Sequence, residues 1–114
     1  MKYAFLGTPE FAAIILTDLI GNGLKPEIVI TNPDRPVGRK KIITPPPAKL
    51  VAEANSIKIW QPEKLDAIEW QTQVGQIDFA IIAAYGKIIP REIISIPKHG
   101  IIVVHPSLLT SFLG

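Results

Sequence analysis

The chain has 114 residues, of which 47% are hydrophobic and 19% are charged, and its formal net charge at pH 7 is +2. These proportions are typical of a folded domain and exclude a disordered or collagen-like chain, and the length is enough for one hydrophobic core. The absence of cysteine excludes disulfides and thiolate metal sites. A net charge of +2 also excludes nucleic-acid binding by bulk charge alone.

The first part of the chain predicts a strand, a tight turn and a helix. Residues 3–6 are an apolar run that ends at Gly7. Thr8 is a residue type that caps helices and Pro9 fits a first helical position, so we expect a helix to begin here. Apolar residues then recur at helical spacing until Gly21.

The rest of the chain continues this alternation. Strands are predicted over residues 27–31, 57–60, 78–83 and 101–104, and helices over residues 48–54, 65–74 and 90–94. The strands are nearly uninterrupted apolar runs, which is typical of a parallel sheet covered on both faces. We therefore predict an α/β fold, doubly wound, with a mostly parallel sheet of about five strands.

In such folds ligands bind outside the carboxyl ends of the strands. This rule selects residues 7–9, 31–41, 84–86 and 105–107, and we expect these four segments to share one rim. The first segment has one glycine, Gly7, where a dinucleotide-binding turn has three. Nicotinamide or flavin binding is therefore not expected.

The second segment belongs to a predicted loop over residues 32–47 that is unusually basic. It contains Arg35, Arg39, Lys40 and Lys41, with no acidic residue between the first and the last of them. A solvated surface connection would account for such charges, but loops of this length in small domains usually have a function. Cations set among prolines suit contact with a phosphate backbone, which favours RNA.

Two shorter segments carry candidate chemistry. His105 directly follows an apolar strand, where an imidazole could donate a hydrogen bond or accept a proton; a structural role for this histidine is equally open. Gly86, after Tyr85, would let backbone amides approach a flat ligand, although this signal alone is weak.

Four segments share a pattern of order and spacing: FLGTPEF (5–11), NPDRPVGRKK (32–41), AYGKIIP (84–90) and HPSLL (105–109). Together they resemble the methionyl-tRNA formyltransferase family over the whole chain, and the second segment is the most specific. The resemblance implies a Rossmann-like formyltransferase fold, with residues 1–114 as the N-terminal portion of the formyltransferase domain and without the family's C-terminal barrel. It implies transfer of a formyl group from 10-formyltetrahydrofolate to the methionine amino group of initiator tRNA, without a metal. A cytoplasmic protein is expected separately, because the sequence shows neither a long apolar stretch nor a cleavable signal pattern.

The resemblance also assigns roles to individual residues. His105 matches the catalytic histidine of the family. The expected folate contacts are Tyr85, Gly86, Ser107, Leu108, Leu109 and Thr110. The expected tRNA contacts are Arg35, Arg39, Lys40 and Lys41, with Arg39 matching a family arginine.

The sequence departs from the family pattern at three positions. Val103 stands where the family has a catalytic asparagine, two residues before His105, and it has no hydrogen-bond donor. Loss of one such donor typically costs about 2.7–4 kcal/mol of transition-state stabilisation. Thr110 replaces a proline, and Leu113 replaces a basic residue.

The family's catalytic aspartate and later strands have no counterpart in these 114 residues, so we expect this chain alone to be inactive or nearly so. Alternatives are a fragment that binds folate or tRNA without catalysis, another folate-dependent formyltransferase, and a purely structural fragment. The last predicted strand, over residues 101–104, would lie at a sheet edge, which predicts self-association there. No stretch is apolar and long enough to predict a membrane span.

Overall fold

The computed structural model of the protein describes residues 1–105, which contain seven strands and four helices. In chain order these elements are β1 (Tyr3–Gly7), α1 (Glu10–Gly21), β2 (Ile28–Ile30), β3 (Arg35–Val37), β4 (Ile42–Thr44), α2 (Pro47–Ala54), β5 (Lys58–Trp60), α3 (Ala67–Gln73), β6 (Phe79–Ala83), α4 (Arg91–Ile94) and β7 (Ile101–Val104). Strands β3 and β4 form a separate antiparallel hairpin.

The other five strands form one parallel sheet in the order β5-β2-β1-β6-β7. The chain starts in the middle with β1, moves outward through β2 to β5, and then returns to the other side of β1 with β6 and β7. The direction of winding therefore reverses between β1 and β6. This arrangement confirms the predicted doubly wound α/β fold with a five-stranded parallel sheet.

Each face of the sheet carries its own hydrophobic cluster, because side chains alternate along a strand. Leu6 lies in one cluster together with Trp70 of α3 and Ile93 of α4. Phe5 lies in the other together with Leu16 of α1, and α2 adds two alanines there. The central strands are thus covered on both faces, as predicted.

The start of α1 differs from the prediction. The first helical residue is Glu10, Pro9 is the capping residue, and no side chain caps this helix. Thr8 does not act as a cap because its hydroxyl donates a hydrogen bond to the Tyr85 carbonyl, 3.1 Å away. The expected capping role was wrong, and the side chain serves a contact between strands instead.

The predicted loop over residues 32–47 contains the hairpin, which the sequence analysis missed. Pro36 pairs in register with Ile43, and a proline is tolerated there because a two-stranded hairpin has only edge strands. The backbone turns through Gly38 and Lys41, which have φ angles of 75° and 52°. The prolines of this segment therefore lie within and directly beside a short piece of regular structure.

Helix α3 begins later than predicted because Asp66 caps it. The Asp66 carboxylate accepts hydrogen bonds from the backbone N–H groups of Ile68 and Glu69, at 2.8 and 3.0 Å. This cap fixes the first helical residue at Ala67. None of the helices within residues 1–105 is long and apolar enough to span a bilayer.

Candidate functional site

The centre of the candidate site is the point where the winding of the sheet reverses. Here the Thr8 N–H donates to the Ala84 carbonyl at 3.2 Å and the Thr8 hydroxyl donates to the Tyr85 carbonyl at 3.1 Å. Gly7 allows the close packing at this point, because a Cβ on it would lie 2.6 Å from the Ala12 Cβ and 2.7 Å from the Ala83 carbonyl oxygen. Gly7 therefore allows α1 to pack closely against the sheet.

Asn32 connects the end of β2 to the same point. Its backbone N–H donates to the Thr8 hydroxyl oxygen at 3.3 Å, and its Nδ2 donates to the Tyr85 carbonyl at 3.1 Å. Its Oδ1 is buried and has no hydrogen-bond partner among the described residues. Three of the four predicted rim segments therefore meet through direct hydrogen bonds.

Gln61 extends these contacts to the end of β5. Its Nε2 donates to the Asn32 carbonyl at 3.1 Å and to Asp34 Oδ1 at 2.7 Å. Gln61 was not among the predicted rim residues, although it is the first residue after the strand predicted over residues 57–60. The rule that ligands bind outside the carboxyl ends of parallel strands applies to this strand as well.

The fourth predicted segment begins at His105, which is exposed. Val104 pairs in register with Ala83, so His105 and Ala84 leave their strands at the same end of the sheet. Val103 pairs with Ile82 and is 58% exposed. The expected folate residues Ser107, Leu108, Leu109 and Thr110 lie outside the described residues.

The Tyr85 side chain is buried in the core and is only 2% exposed. Burial raises the pKa of its hydroxyl to about 12, so the phenol stays neutral at physiological pH. A ligand at this turn would therefore contact the backbone instead of the phenol. The backbone bends sharply here because Ala84 and Gly86 adopt left-handed conformations, with φ angles of 58° and 86°.

A cavity of about 400 Å³ lies beside Gly86. Glu63, after β5, and Lys87, after β6, line it and form an ion pair at 3.7 Å. The Lys87 ammonium group also donates to the Glu63 backbone carbonyl. Two larger cavities, of about 630 and 730 Å³, contain none of the predicted site residues among their linings.

The cations of the basic segment lie on the hairpin. Arg35 is on β3, whereas Arg39, Lys40 and Lys41 lie in the turn between β3 and β4, and all four are exposed. The Arg35 guanidinium is 3.6 Å from the Glu63 carboxylate. The hairpin thus presents a cationic tip to solvent beside the rim.

Asp34 holds the base of this hairpin. Its carboxylate accepts hydrogen bonds from the Lys49 ammonium group of α2, at 3.0 and 3.2 Å, and from Gln61 Nε2. The hydrogen bond from Gln61 and then that from Lys49 lower the pKa of Asp34 below its ordinary value. At neutral pH this carboxylate is therefore charged, and it accepts hydrogen bonds from both Lys49 and Gln61.

Among residues 1–105, no group of three or more histidine, aspartate or glutamate side chains is placed to hold a metal ion. The rim offers amides, hydroxyls, backbone carbonyls and the His105 imidazole, its Asp34 and Glu63 carboxylates are paired with cations, and further cations lie on the adjoining hairpin. This donor set suits organic and phosphate-bearing ligands.

The structure is that of an α/β protein with a candidate ligand site at the carboxyl edge of a parallel sheet and a cationic hairpin beside it. The formyl transferase family model matches residues 1–114, and the chain belongs to that family. It is 45% identical to a methionyl-tRNA formyltransferase from Halalkalibacterium halodurans over 116 aligned residues. Relatives of the same name from Geobacter metallireducens and Thermotoga sp. are 42% and 44% identical.

Each of these alignments covers 100% of this chain and 37% of the relative. The chain therefore spans just over a third of the length of the curated relatives that it matches. The family match over residues 1–114 takes in both the rim and the hairpin.

Proposed function

We propose that this chain forms part of an enzyme that transfers a formyl group from 10-formyltetrahydrofolate to the methionine amino group of initiator tRNA. The observation that carries the proposal is the cationic hairpin at the same rim as the turn at Tyr85 and the end of β7. An RNA phosphate backbone at the hairpin would bring its 3′ end toward that rim. Because initiator tRNA is used in protein synthesis, we expect such an enzyme to act in the cytoplasm.

His105 is the catalytic residue of this proposal. The substrate amine attacks the formyl carbon, a carbon–nitrogen bond forms, and negative charge develops on the formyl oxygen. Collapse of this adduct breaks the bond between the formyl carbon and folate N10, which takes up the proton that the amine loses. An imidazole at His105 can stabilise the oxyanion as a donor or carry the proton.

Val103 limits this chemistry. It stands in the place that the family resemblance gives to an asparagine, and its isopropyl group cannot donate a hydrogen bond to the oxyanion. Loss of one such donor typically lowers kcat by about 10²–10³. Formyl transfer by a protein with Val103 should therefore be slow relative to an enzyme with asparagine there.

The folate contacts proposed for this chain are the backbone at Tyr85 and Gly86 and the segment formed by Ser107, Leu108, Leu109 and Thr110. The cavity beside Gly86 gives a flat pterin ring a place close to that backbone. The RNA contacts proposed are Arg35, Arg39, Lys40 and Lys41. Exposure of all four makes them available to phosphate oxygens.

A second candidate function is binding of folate and RNA without catalysis, and the apolar side chain of Val103 favours it. Titration of the chain with 5,10-dideazatetrahydrofolate and with an initiator-tRNA acceptor-stem RNA, beside a formylation assay, separates the two functions. Binding of both ligands with turnover supports the transferase, whereas binding without turnover supports the binding module. Folate binding without RNA binding would point to another folate-dependent formyltransferase, and binding of neither would contradict both functions.

We further propose that β7 pairs with a second copy of the 114-residue chain. Within residues 1–105 this strand has one neighbour, β6, and Ile102 and Val103 are 52% and 58% exposed. Unpaired strand edges of this kind promote association. Light scattering should give a mass above that of a monomer, and the measured mass should be lower in the variant Ile102→Lys. A monomeric mass of the unchanged chain at high concentration would contradict the proposal.

A further inference from the structure

The side-chain contacts that connect the hairpin to the rest of the described residues differ in quality. The ion pair between Arg35 and Glu63 is long, at 3.6 Å, and the two side chains are 55% and 77% exposed. Exposed pairs of this kind contribute little to stability. The ion pair between Asp34 and Lys49 is shorter, at 3.0 Å, and much better shielded from water.

Asp34 also joins the hairpin to the rim. Gln61 Nε2 donates both to Asp34 Oδ1, at 2.7 Å, and to the Asn32 carbonyl, at 3.1 Å. Asn32 in turn donates to the Tyr85 carbonyl at 3.1 Å. A continuous series of hydrogen bonds therefore runs from the base of the hairpin to the turn after β6.

The opposite end of the hairpin has its own restraint. After β4 the chain passes through Pro45 and Pro46 into α2, whose Ala48 N–H donates to the Thr8 carbonyl at 3.3 Å. Proline fixes the backbone φ angle, so this end leaves the hairpin in a restricted direction. On the β3 side the equivalent restraint comes from side chains, and Asp34 is where they converge.

We propose that Asp34 is a positioning residue for RNA binding: with Lys49 and Gln61 it fixes the direction in which the cationic hairpin leaves the rim. The inference rests on the proposed RNA contact by the hairpin. Lys49 of α2 and Gln61, directly after β5, donate to one carboxylate, so the β3 end of the hairpin cannot swing without breaking these hydrogen bonds. The cations at the tip then stay in register with the site after β6.

Limited trypsin digestion tests the positioning directly. Trypsin cuts after Arg39, Lys40 and Lys41 only when the turn can move into its active site, and cleavage sites are read by mass spectrometry. In the variant Asp34→Ala we expect cleavage at these three positions to be about tenfold faster than in the unchanged chain, because the charge-assisted hydrogen bonds from Lys49 and the hydrogen bond from Gln61 are lost. Equal rates would overturn the inference.

The matched control is Glu63→Ala, which also removes one negative charge and one ion pair at the hairpin. Its cleavage rate should stay within about twofold of the unchanged chain, as expected for an exposed pair. An acceleration equal to that of Asp34→Ala would overturn the inference. Asp34→Asn, which keeps one oxygen for Gln61 but loses the charge, should lie between the two and also serves if Asp34→Ala fails to fold.

Affinity for an acceptor-stem RNA separates this inference from the function on which it rests. With Asp34→Ala the Kd should rise about tenfold, because the cations remain but their direction is lost. If Arg39→Ala weakens RNA binding and Asp34→Ala does not, positioning by Asp34 is wrong while the RNA role of the hairpin stands. If neither variant changes the Kd, the RNA role itself is wrong.

Discussion

The Thr8 hydroxyl donates a hydrogen bond to the Tyr85 carbonyl, 3.1 Å away, and so ties the end of β1 to the end of β6. The same hydroxyl oxygen accepts the Asn32 N–H at 3.3 Å. One small side chain therefore holds three strand ends together where the sheet reverses its winding. Ligands of doubly wound folds bind at this point.

Replacement of Thr8 by valine should loosen this junction. Valine keeps the shape of threonine, but the hydrogen bonds of the hydroxyl with the Asn32 N–H and with the Tyr85 carbonyl are lost. We therefore expect the free energy of unfolding to fall by about 1–3 kcal/mol. Urea denaturation measures it. Thr72→Val is the control, because the exposed Thr72 hydroxyl donates only to the Ile68 carbonyl within α3. Its cost should stay under about 0.5 kcal/mol.

A methyl group at Gly7 should destabilise the fold for a steric reason. The added Cβ would lie 2.6 Å from the Ala12 Cβ, 2.7 Å from the Ala83 carbonyl oxygen and 2.9 Å from the Phe5 ring. Overpacking of this kind typically costs about 1–3 kcal/mol. Gly21→Ala is the matched control because a Cβ there meets nothing within 4 Å; equal stabilities of the two variants would contradict the close packing at Gly7.

The two tyrosines of the chain should titrate only at very alkaline pH. Burial raises the pKa of both Tyr3 and Tyr85 to about 12, above the ordinary value of 10.0. Because the unfolded chain loses these protons first, the folded state loses stability as the pH rises from 10 to 12. Tyrosinate absorbance should therefore be nearly absent at pH 10.5 in the folded protein and appear on addition of urea.

The variants Tyr3→Phe and Tyr85→Phe assign the signal to one residue each. A folded protein in which either tyrosine ionises near pH 10 would contradict the burial of that ring. Tyr3 stacks on Phe79, with ring centroids 5.1 Å apart, so ionisation near pH 10 would also mean that this stacked pair opens to water.

Sequence patterns predicted the parallel sheet well because its strands are apolar on both faces. Strand β7 has the predicted bounds, and the rim follows from the rule that parallel strands end together. Thr8 was misassigned because a threonine before a helix has the same appearance whether its hydroxyl bonds the helix or another strand. That choice depends on Tyr85, which lies 77 residues away in the chain.

The hairpin was missed for a related reason. Its strands are only three residues long, and Pro36 in the middle of β3 argues locally against a strand. Its attachment through Asp34 depends on Lys49 in α2 and on Gln61 directly after β5. Contacts of this kind arise only when the fold brings distant segments together, so local patterns do not predict them.

The RNA contact of the hairpin is the central claim, and the dependence of RNA affinity on salt tests it most directly. We expect the acceptor-stem RNA to bind the chain with a Kd that rises with salt, and Arg39→Ala to weaken binding and lower the slope of log Kobs against log salt by about 0.9. Lys98→Ala is the control, because Lys98 lines the cavity of about 630 Å³, which contains none of the predicted site residues. Unchanged affinity and slope in Arg39→Ala, or an equal loss in Lys98→Ala, would contradict the account.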